Sequence, residues 1–215
     1  MEQRAPPAER NELSSHIDQS FVTGSCWRMR MLCVSCEFVY TVPSIAMLAE
    51  MLLPLSVGME SVCELMEYEL DGELAVTPEA LNAVLPEGVR VLEVYESTRK
   101  ARELRRLRAL LTLEYDGAVP EPAAITPLLE RPELVVEKRT KRGMAETDIR
   151  PMLHAYHVEA APGALLLTCE VSAQEPSLNP MLLAAAIERY LPGAKPDFIR
   201  CRRLEMLDEQ GGIFR

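Results

Sequence analysis

Aromatic side chains are scarce in this chain of 215 residues, where they make up 5% of the total. Apolar residues nevertheless account for 48% and charged residues for 26%, which is the composition of a folded globular protein. We therefore expect leucine, valine, alanine and methionine to build the core. The length suits either one large domain or two small ones.

The sequence also lacks a long hydrophobic run. No window reaches the roughly 18 consecutive apolar residues that a membrane-spanning helix needs. The first ten residues, MEQRAPPAER, are charged and contain prolines, so they do not have the pattern of a signal peptide. Together these absences predict a cytoplasmic protein without a membrane partner, in which the six cysteines are free thiols rather than disulfides.

Several familiar catalytic and cofactor motifs are missing. There is no glycine-rich phosphate loop, and Ser56 does not lie in the G-x-S-x-G frame of a nucleophile elbow. Cys26, Cys33 and Cys36 are spaced C-x6-C-x2-C, whereas a radical SAM iron–sulfur cluster needs C-x3-C-x2-C. Cys33 and Cys36 have the spacing of half a zinc site, but no second pair follows at finger-like spacing. We therefore predict neither a cofactor nor a metal.

The three histidines offer only weak candidates for a site. His154 and His157 lie in a predicted strand, where a separation of three residues points them to opposite faces. They are most simply ordinary strand residues, although a metal framed by both histidines and Asp148 is an open alternative. His16 and Asp18 are a candidate catalytic pair whose partners the sequence does not identify.

The charge is unevenly distributed along an acidic chain of net charge −10. Three windows, residues 99–108, 138–142 and 200–203, hold 13 of the 23 lysines and arginines. Basic side chains neutralise phosphates without reading sequence, which makes RNA a candidate partner. The simpler interpretation is three solvated faces, and stacking aromatics are missing. The candidate nucleic-acid ligands are Arg105, Arg106, Lys138, Arg139, Lys141 and Arg142.

Hydrophobic periodicity and turn residues predict a mixture of strands and helices. A helix should begin with Thr77 as its N-cap and run to about residue 85, and two others should span 123–130 and 181–190. Glu64, Glu67 and Glu69 are expected to form the exposed face of a strand. The predicted strands are 65–70, 89–95, 109–115, 134–139, 146–149, 152–159, 164–171 and 198–207.

The order strand, helix, strand recurs in the two halves of the chain, each time with a proline at the start of the helix and a Leu-Pro turn after it. We therefore predict an α+β protein of two tandem ferredoxin-like (split βαβ) units. Residues 1–12 would be a disordered lead, 13–98 the first unit (with 13–52 poorly defined), 99–109 a basic linker or helix, and 110–215 the second unit. The basic hairpin around residues 138–148 is expected to be the central hairpin of that second unit.

Two short segments, LPLSVGME at residues 53–60 and DIRP at 148–151, resemble a bacterial family of unknown function, the radical-SAM-linked proteins. The similarity runs from about Leu52 to the C-terminus and includes the basic hairpin. Members occur as separate proteins or behind a cobalamin-type radical SAM module, which implies a radical SAM protein as partner. The residues that carry the family motif are Leu53, Pro54, Leu55, Gly58, Asp148, Arg150 and Pro151.

The N-terminal quarter departs from that family. Ser15, His16, Ile17 and Asp18 echo its Ser-His-Leu-Asp element, but the Gly-Phe-Asn-Pro stretch that should follow is absent from residues 24–52. Ordinary divergence and a reading-frame error in the gene are both open explanations.

Three functional hypotheses follow. The first is a non-catalytic module that presents a substrate, RNA or a ribosome-related component, to a radical SAM enzyme. The second is a docking module for that enzyme which does not bind nucleic acid. The third is a small enzyme in which His16, Asp18, Asp148 and Arg150 converge on one substrate. The sequence leaves the oligomeric state open.

Overall fold

A computed structural model describes residues 26–35, 50–71, 77–85, 89–140 and 143–215, with only the backbone described at 26–35, 50, 68–71 and 89. These residues form an α+β fold, which confirms the predicted class. The helices are α1 (Pro78–Asn82), α2 (Pro122–Leu129) and α3 (Met181–Tyr190). The strands are β1 (Cys26–Ser35), β2 (Glu50–Met51), β3 (Met59–Asp71), β4 (Val89–Glu96), β5 (Arg106–Glu114), β6 (Val135–Thr140), β7 (Gly143–Asp148), β8 (Leu153–Ala161), β9 (Ala164–Ser172) and β10 (Phe198–Leu207).

Eight strands form one sheet in the order β4-β1-β3-β10-β5-β9-β8, with the short β2 paired to β3. Strands β3 and β10 run parallel, and Cys201 pairs with Met59 at their junction. The other pairings in this sheet are antiparallel. The first and second halves of the chain therefore meet along β3 and β10 and share a single sheet.

One face of the second half of this sheet is covered. Along β5, residues at alternate positions from Leu107 to Leu113 are buried, while those between them are half-exposed. Period-two alternation of this kind is the pattern of a strand with one face in the core. Helices α2 and α3 contribute Ile125, Leu183 and Ile187 to the same apolar cluster.

The hairpin of β6 and β7 stands apart from the main sheet as a two-stranded sheet of its own. The prediction that it would be the central hairpin of the second unit is therefore wrong. Strands β8 and β9, by contrast, pair directly in the main sheet. Pro151 lies in a 3₁₀ turn, Arg150–Met152, that separates β7 from β8. Since proline cannot donate a ladder hydrogen bond, the chain breaks here rather than continuing one strand.

Most of the predicted elements are present, with shifted ends. Thr77 caps α1 as predicted, accepting a hydrogen bond from the Ala80 amide at 3.3 Å. Strand β5 begins at Arg106, so the end of the predicted linker belongs to the sheet. Strand β3 begins six residues earlier than predicted, at Met59. No helix among the described residues is long and apolar enough to cross a membrane.

Candidate nucleic-acid interface and adjoining cavity

The first basic window reaches the surface where β5 begins. Arg105 and Arg106 line a hollow of about 120 Å³ together with His154, Gln174 and two glutamates, Glu175 and Glu209. No carboxylate in the described part of the chain lies within ion-pair distance of either arginine. These two guanidinium groups are thus available to an external anion.

His154 borders the same hollow and shares a hydrogen bond with Ser172, at 2.9 Å between its Nε2 and the hydroxyl. Partial burial lowers the pKa of His154, and the neighbouring Arg106 guanidinium lowers this pKa further. The imidazole is therefore held in its neutral form to lower pH than an ordinary histidine.

The second basic window lies on the β6–β7 hairpin. Lys138 donates through Nζ to the carbonyl oxygen of Ser177, and Arg139 is exposed to solvent. On the other strand of the hairpin, Glu146 accepts a hydrogen bond from Arg189 at 2.8 Å. Lys141 and Arg142, at the tip, lie outside the described residues.

A single loop, residues 174–177, connects the two basic windows. Its N-terminal part borders the hollow of Arg105 and Arg106, and its last residue, Ser177, accepts the hydrogen bond from Lys138. Gln174 also donates to the carbonyl oxygen of Ala101 at 3.0 Å, which ties the loop to the first window. Two clusters that are separate in sequence therefore flank one surface loop.

Five other basic residues of the three windows pair with carboxylates. Arg108 bonds Glu170 at 2.7 Å, and Arg99 lies 3.1 Å from Asp208. The whole third window is paired in this way, because each of its arginines contacts a glutamate on a neighbouring strand. These pairs are Arg200 with Glu114, Arg202 with Glu60, and Arg203 with Glu64.

The family-motif residues at the end of β7 bind backbone groups. Asp148 accepts hydrogen bonds through Oδ1 from the amides of Leu134, at 2.8 Å, and Arg150, at 3.0 Å. Arg150 donates through Nη1 to the carbonyl oxygen of Leu153 at 2.9 Å. Both side chains thus brace the entry and exit of the hairpin. His16 and Asp18, proposed to converge with them, lie outside the described residues.

The other motif segment, residues 53–59, borders a second cavity. It ends in a turn in which the Met59 amide bonds the Ser56 carbonyl at 3.2 Å and Gly58 has a φ of +81°. Glycine suits this turn because residues with a Cβ rarely adopt a positive φ. Together with residues 172–180, the segment borders a half-open cavity of about 200 Å³, which Arg203 also lines.

Arg203 is the residue of this region that sequence reasoning missed. Only 3% of it is exposed, and its Nη1 donates both to Glu64 and to the carbonyl oxygen of Leu53, each at 2.8 Å. Its place in a basic window predicts a solvated face, which is wrong for this residue. In a strand, residues two positions apart face the same side. Arg203 therefore points inward with Cys201, which is buried on the same strand. The prediction that Glu64 lies on an exposed face is wrong as well, since it is 1% exposed.

The described cysteine side chains are structural in character. Cys63, Cys169 and Cys201 are free and buried, and burial raises the pKa of each thiol to about 12. A thiol with a raised pKa stays protonated at neutral pH. Since only the thiolate is a nucleophile, these three thiols are unreactive. No cluster of three or more potential metal ligands occurs among residues whose side chains the structure describes. Cys26 and Cys33 are known only by their backbone, and Cys36 lies outside the described residues.

Comparison with known proteins places the chain in a family without assigning it an activity. No curated protein matches the sequence. A bacterial family matches residues 43–180, more than half of the chain, and this range contains the 53–59 segment, the basic hairpin and the 174–177 loop. The protein therefore belongs to the family described as an uncharacterized protein conserved in bacteria (DUF2344).

Proposed function

We propose that this protein is an accessory binding module that holds RNA, or a ribosome-related RNA component, and presents it to a radical SAM partner. The observation that carries the proposal is the 174–177 loop. Because Arg105 and Arg106 flank one side of it and Lys138 binds the other, the two basic windows meet around the loop, where Glu175 and Glu209 also line the hollow.

The charge balance of the chain supports an anionic partner for this surface. The protein carries a net charge of −10, so an unpaired cationic region opposes the general trend of the sequence. The paired third window serves as an internal comparison, because its arginines already have carboxylate partners. Lysine and arginine side chains without such partners bind phosphate groups and release counterions, which is the main source of nonspecific nucleic-acid affinity.

The topology of the second half is compatible with this role. The strand order β10-β5-β9-β8, with α2 and α3 on one face, is the order of a ferredoxin-like split βαβ unit. We propose that β6 and β7 are an insertion in such a unit, and that β1, β3 and β4 belong to a related first unit joined through β3. Sheets and hairpins of this fold class contact RNA in other proteins, and this analogy supports the proposal.

The radical SAM partner rests on the resemblance of residues 53–60 and 148–151 to radical-SAM-linked proteins. Since the chain lacks the cysteine spacing of the cluster site, the radical chemistry would belong to the partner. Tandem affinity purification from a bacterium that expresses the tagged protein tests this part. Recovery of a radical SAM protein in stoichiometric amount is the expected result, and its consistent absence would contradict the assignment.

RNA binding is tested by fluorescence anisotropy with a labelled single-stranded RNA at two or more salt concentrations. We expect the affinity to fall as salt rises, and Arg105→Gln/Arg106→Gln to weaken it. For single strands each lost phosphate contact should reduce the salt slope by about 0.7. The matched control is Arg200→Gln/Arg202→Gln, which removes the same charge from arginines that are already paired.

The hairpin provides a second, independent arm of this test. Lys141→Glu/Arg142→Glu should weaken binding by charge reversal at the tip, and Arg139→Gln by loss of one cation. The RNA proposal is wrong if the wild-type protein shows no salt-sensitive RNA binding. It is also wrong if Arg105→Gln/Arg106→Gln and Lys141→Glu/Arg142→Glu weaken RNA binding no more than the control Arg200→Gln/Arg202→Gln does.

A protein-docking role without RNA is the second candidate. Val57 lies at the turn of the family segment and is 89% exposed, so its apolar side chain is accessible to a protein partner. In this case Val57→Asp should abolish co-purification with the radical SAM protein, whereas Arg105→Gln/Arg106→Gln should leave it intact.

A further inference from the structure

Strand β8 carries a β-bulge at His154. The pairing advances by two residues on β8, from Leu153 to Ala155, where it advances by one on β9, and His154 is the extra residue. A bulge takes its extra residue out of the regular ladder and re-aims its side chain. Here the imidazole reaches the hydroxyl group of Ser172 on β9, with 2.9 Å between Nε2 and Oγ, and this hydrogen bond lies at the exposed surface.

Ser172 lies opposite Arg106 on the face of the sheet that the helices leave open. The two residues are direct register partners on β9 and β5. Their neighbours Val171 and Leu107 are buried in the apolar cluster with α2 and α3, so both side chains point to the other face. Directly opposed residues have Cβ atoms about 5 Å apart. The hollow of Arg105 and Arg106 accordingly has Arg106, Ser172 and His154 together in its lining.

A serine hydroxyl within hydrogen-bond reach of an imidazole is the arrangement that nucleophilic catalysis uses. Free serine is a weak nucleophile, and an adjacent base activates it by taking its proton as it attacks. Partial burial lowers the pKa of His154, and the Arg106 guanidinium lowers this pKa further, so the imidazole is neutral at neutral pH and can accept that proton. In the tautomer with its own proton on Nδ1, Nε2 accepts the hydrogen of the Ser172 hydroxyl.

The lining of the hollow suits a neutral, polarised group of a small substrate. Glu175 and Glu209, both at exposed positions, accompany Arg105 and Arg106, so the lining carries formal charges of both signs. The negative charge of an ester oxyanion develops only in the transition state, where a positioned guanidinium group stabilises it. The volume of about 120 Å³ is well below the roughly 300–1,000 Å³ of typical small-molecule sites, which favours a short acyl group.

We propose that Ser172 and His154 are the nucleophile and the general base of a site that hydrolyses carboxylic esters with a short acyl group, and that Arg106 stabilises the oxyanion. This activity goes beyond RNA binding and does not depend on it.

The reaction has two steps and consumes one water molecule. In the first step Oγ of Ser172 bonds to the ester carbonyl carbon, and the hydroxyl proton passes to Nε2 of His154. The bond from that carbon to the leaving oxygen breaks, and the leaving group takes the proton from Nε2 and departs as an alcohol. In the second step water attacks the acyl-serine and gives a proton to Nε2. The bond between the carbon and Oγ then breaks, Oγ recovers the proton, and a carboxylic acid is released.

Two kinds of probe test the site without RNA. A fluorophosphonate bonds covalently to an activated serine with loss of fluoride, and peptide mass mapping locates the adduct. We expect an adduct on Ser172, and turnover of p-nitrophenyl acetate with an initial burst of p-nitrophenol as the acyl-serine accumulates. The decanoate ester has an acyl chain too long for the hollow, so its kcat/KM should be lower by about tenfold or more.

Substitutions assign the activity to the three side chains. Ser172→Ala should remove the adduct and the burst, and His154→Gln should lower both the labelling rate and kcat by about 100-fold. Arg106→Gln should lower kcat by about 100-fold with little change in KM, because its contact is made in the transition state. Ser56→Ala and His157→Gln, at exposed positions, are the matched controls and should behave as the wild type. Circular dichroism and unfolding midpoints establish that each variant is folded.

Several outcomes would overturn the inference. Turnover that survives in the folded Ser172→Ala protein would exclude this serine as the nucleophile. Equal losses in His154→Gln and His157→Gln would indicate direct catalysis by surface imidazoles, and equal rates for the acetate and the decanoate would exclude the hollow as the site. An unchanged kcat in Arg106→Gln would contradict the role given to that guanidinium group. If neither adduct nor turnover occurs, the activity is absent, and RNA binding is unaffected because neither probe involves RNA.

Discussion

Glu64 and Arg203 form a buried ion pair across the parallel strands β3 and β10. Oε1 of Glu64 accepts a hydrogen bond from Nη1 of Arg203 at 2.8 Å, and the two residues are 1% and 3% exposed. The pair lies where the two halves of the chain join into one sheet. It therefore links the folding of the first half to that of the second.

Breaking this pair from one side should be strongly destabilising. Glu64→Met leaves the Arg203 guanidinium buried without its counter-charge, and we expect a loss of about 3–5 kcal/mol in the free energy of unfolding. Glu64→Met/Arg203→Met should lose much less, since it leaves no isolated charge. Urea unfolding of the wild type, the two single variants and the double variant measures the coupling. Additive losses in the double variant would contradict the ion pair as a coupled unit.

Asp148 should stabilise the hairpin through its hydrogen bonds to the backbone. Asp148→Ala removes the acceptor of the Leu134 and Arg150 amides, and we expect a loss of about 1–3 kcal/mol. Asp148→Asn retains the Oδ1 acceptor and should lose less. Urea unfolding gives the energies, and hydrogen exchange should show faster exchange of the Leu134 amide in the alanine variant. An unchanged exchange rate would argue against this bracing role.

Asn82 should hold helix α1 to strand β4. Its side chain donates to the Val91 carbonyl at 2.9 Å and accepts from the Val91 amide at 2.8 Å, so it replaces a missing strand neighbour at that position. Asn82→Ala leaves both backbone groups without that partner, at a cost of about 1–3 kcal/mol. Limited proteolysis should then cut first in the residues between α1 and β4. Asn82→Asp, which keeps the acceptor but loses the donor, should have an intermediate effect.

The buried thiols should make stability fall at alkaline pH. Burial raises the thiol pKa of Cys63, Cys169 and Cys201 from an ordinary value of 9.0 to about 12. Above about pH 9 the unfolded chain releases these protons while the folded chain retains them. The contribution is therefore complete below about pH 9 and is lost as the pH rises towards about 12.

Urea midpoints at pH 7, 9 and 10.5 measure this dependence. Cys169→Ala removes one of the three groups and should reduce the alkaline slope, whatever its effect on stability at neutral pH. Thiol labelling with peptide mapping at pH 8 should modify these three positions only as fast as the protein unfolds. Rapid labelling of Cys169 in the folded protein would contradict the raised pKa.

Local patterns were sufficient to predict much of the fold. Helix α3 and strand β10 begin and end where their periodicity and turn residues indicated, and the Thr77 cap was recognised from one side chain and the proline after it. In such segments the choice between helix and strand follows from which neighbouring residues can share an apolar face. The α+β class follows from the order of these segments.

The site was less predictable. The basic windows at residues 99–108 and 138–142 stand out in the sequence. Composition does not distinguish cations that have a carboxylate partner from cations that have none. Pairing separates Arg106 from Arg108, although both lie on the same face of β5. A glutamate at the right register position on β9 neutralises one of them, and register is a property of the assembled sheet.

Local sequence was enough to place the helices and most strands, because these depend on residues within one or two turns or alternations of each other. Strands β1 and β2 lie in the segment 13–52, whose lack of a clear period left it undefined. Tertiary structure alone decided that Arg203 turns inward to Glu64, 139 positions away. It also excluded the β6–β7 hairpin from the main sheet and brought the two basic windows to one loop. A buried charge is tolerated only beside its partner, and chain folding, rather than any local pattern, supplies that partner.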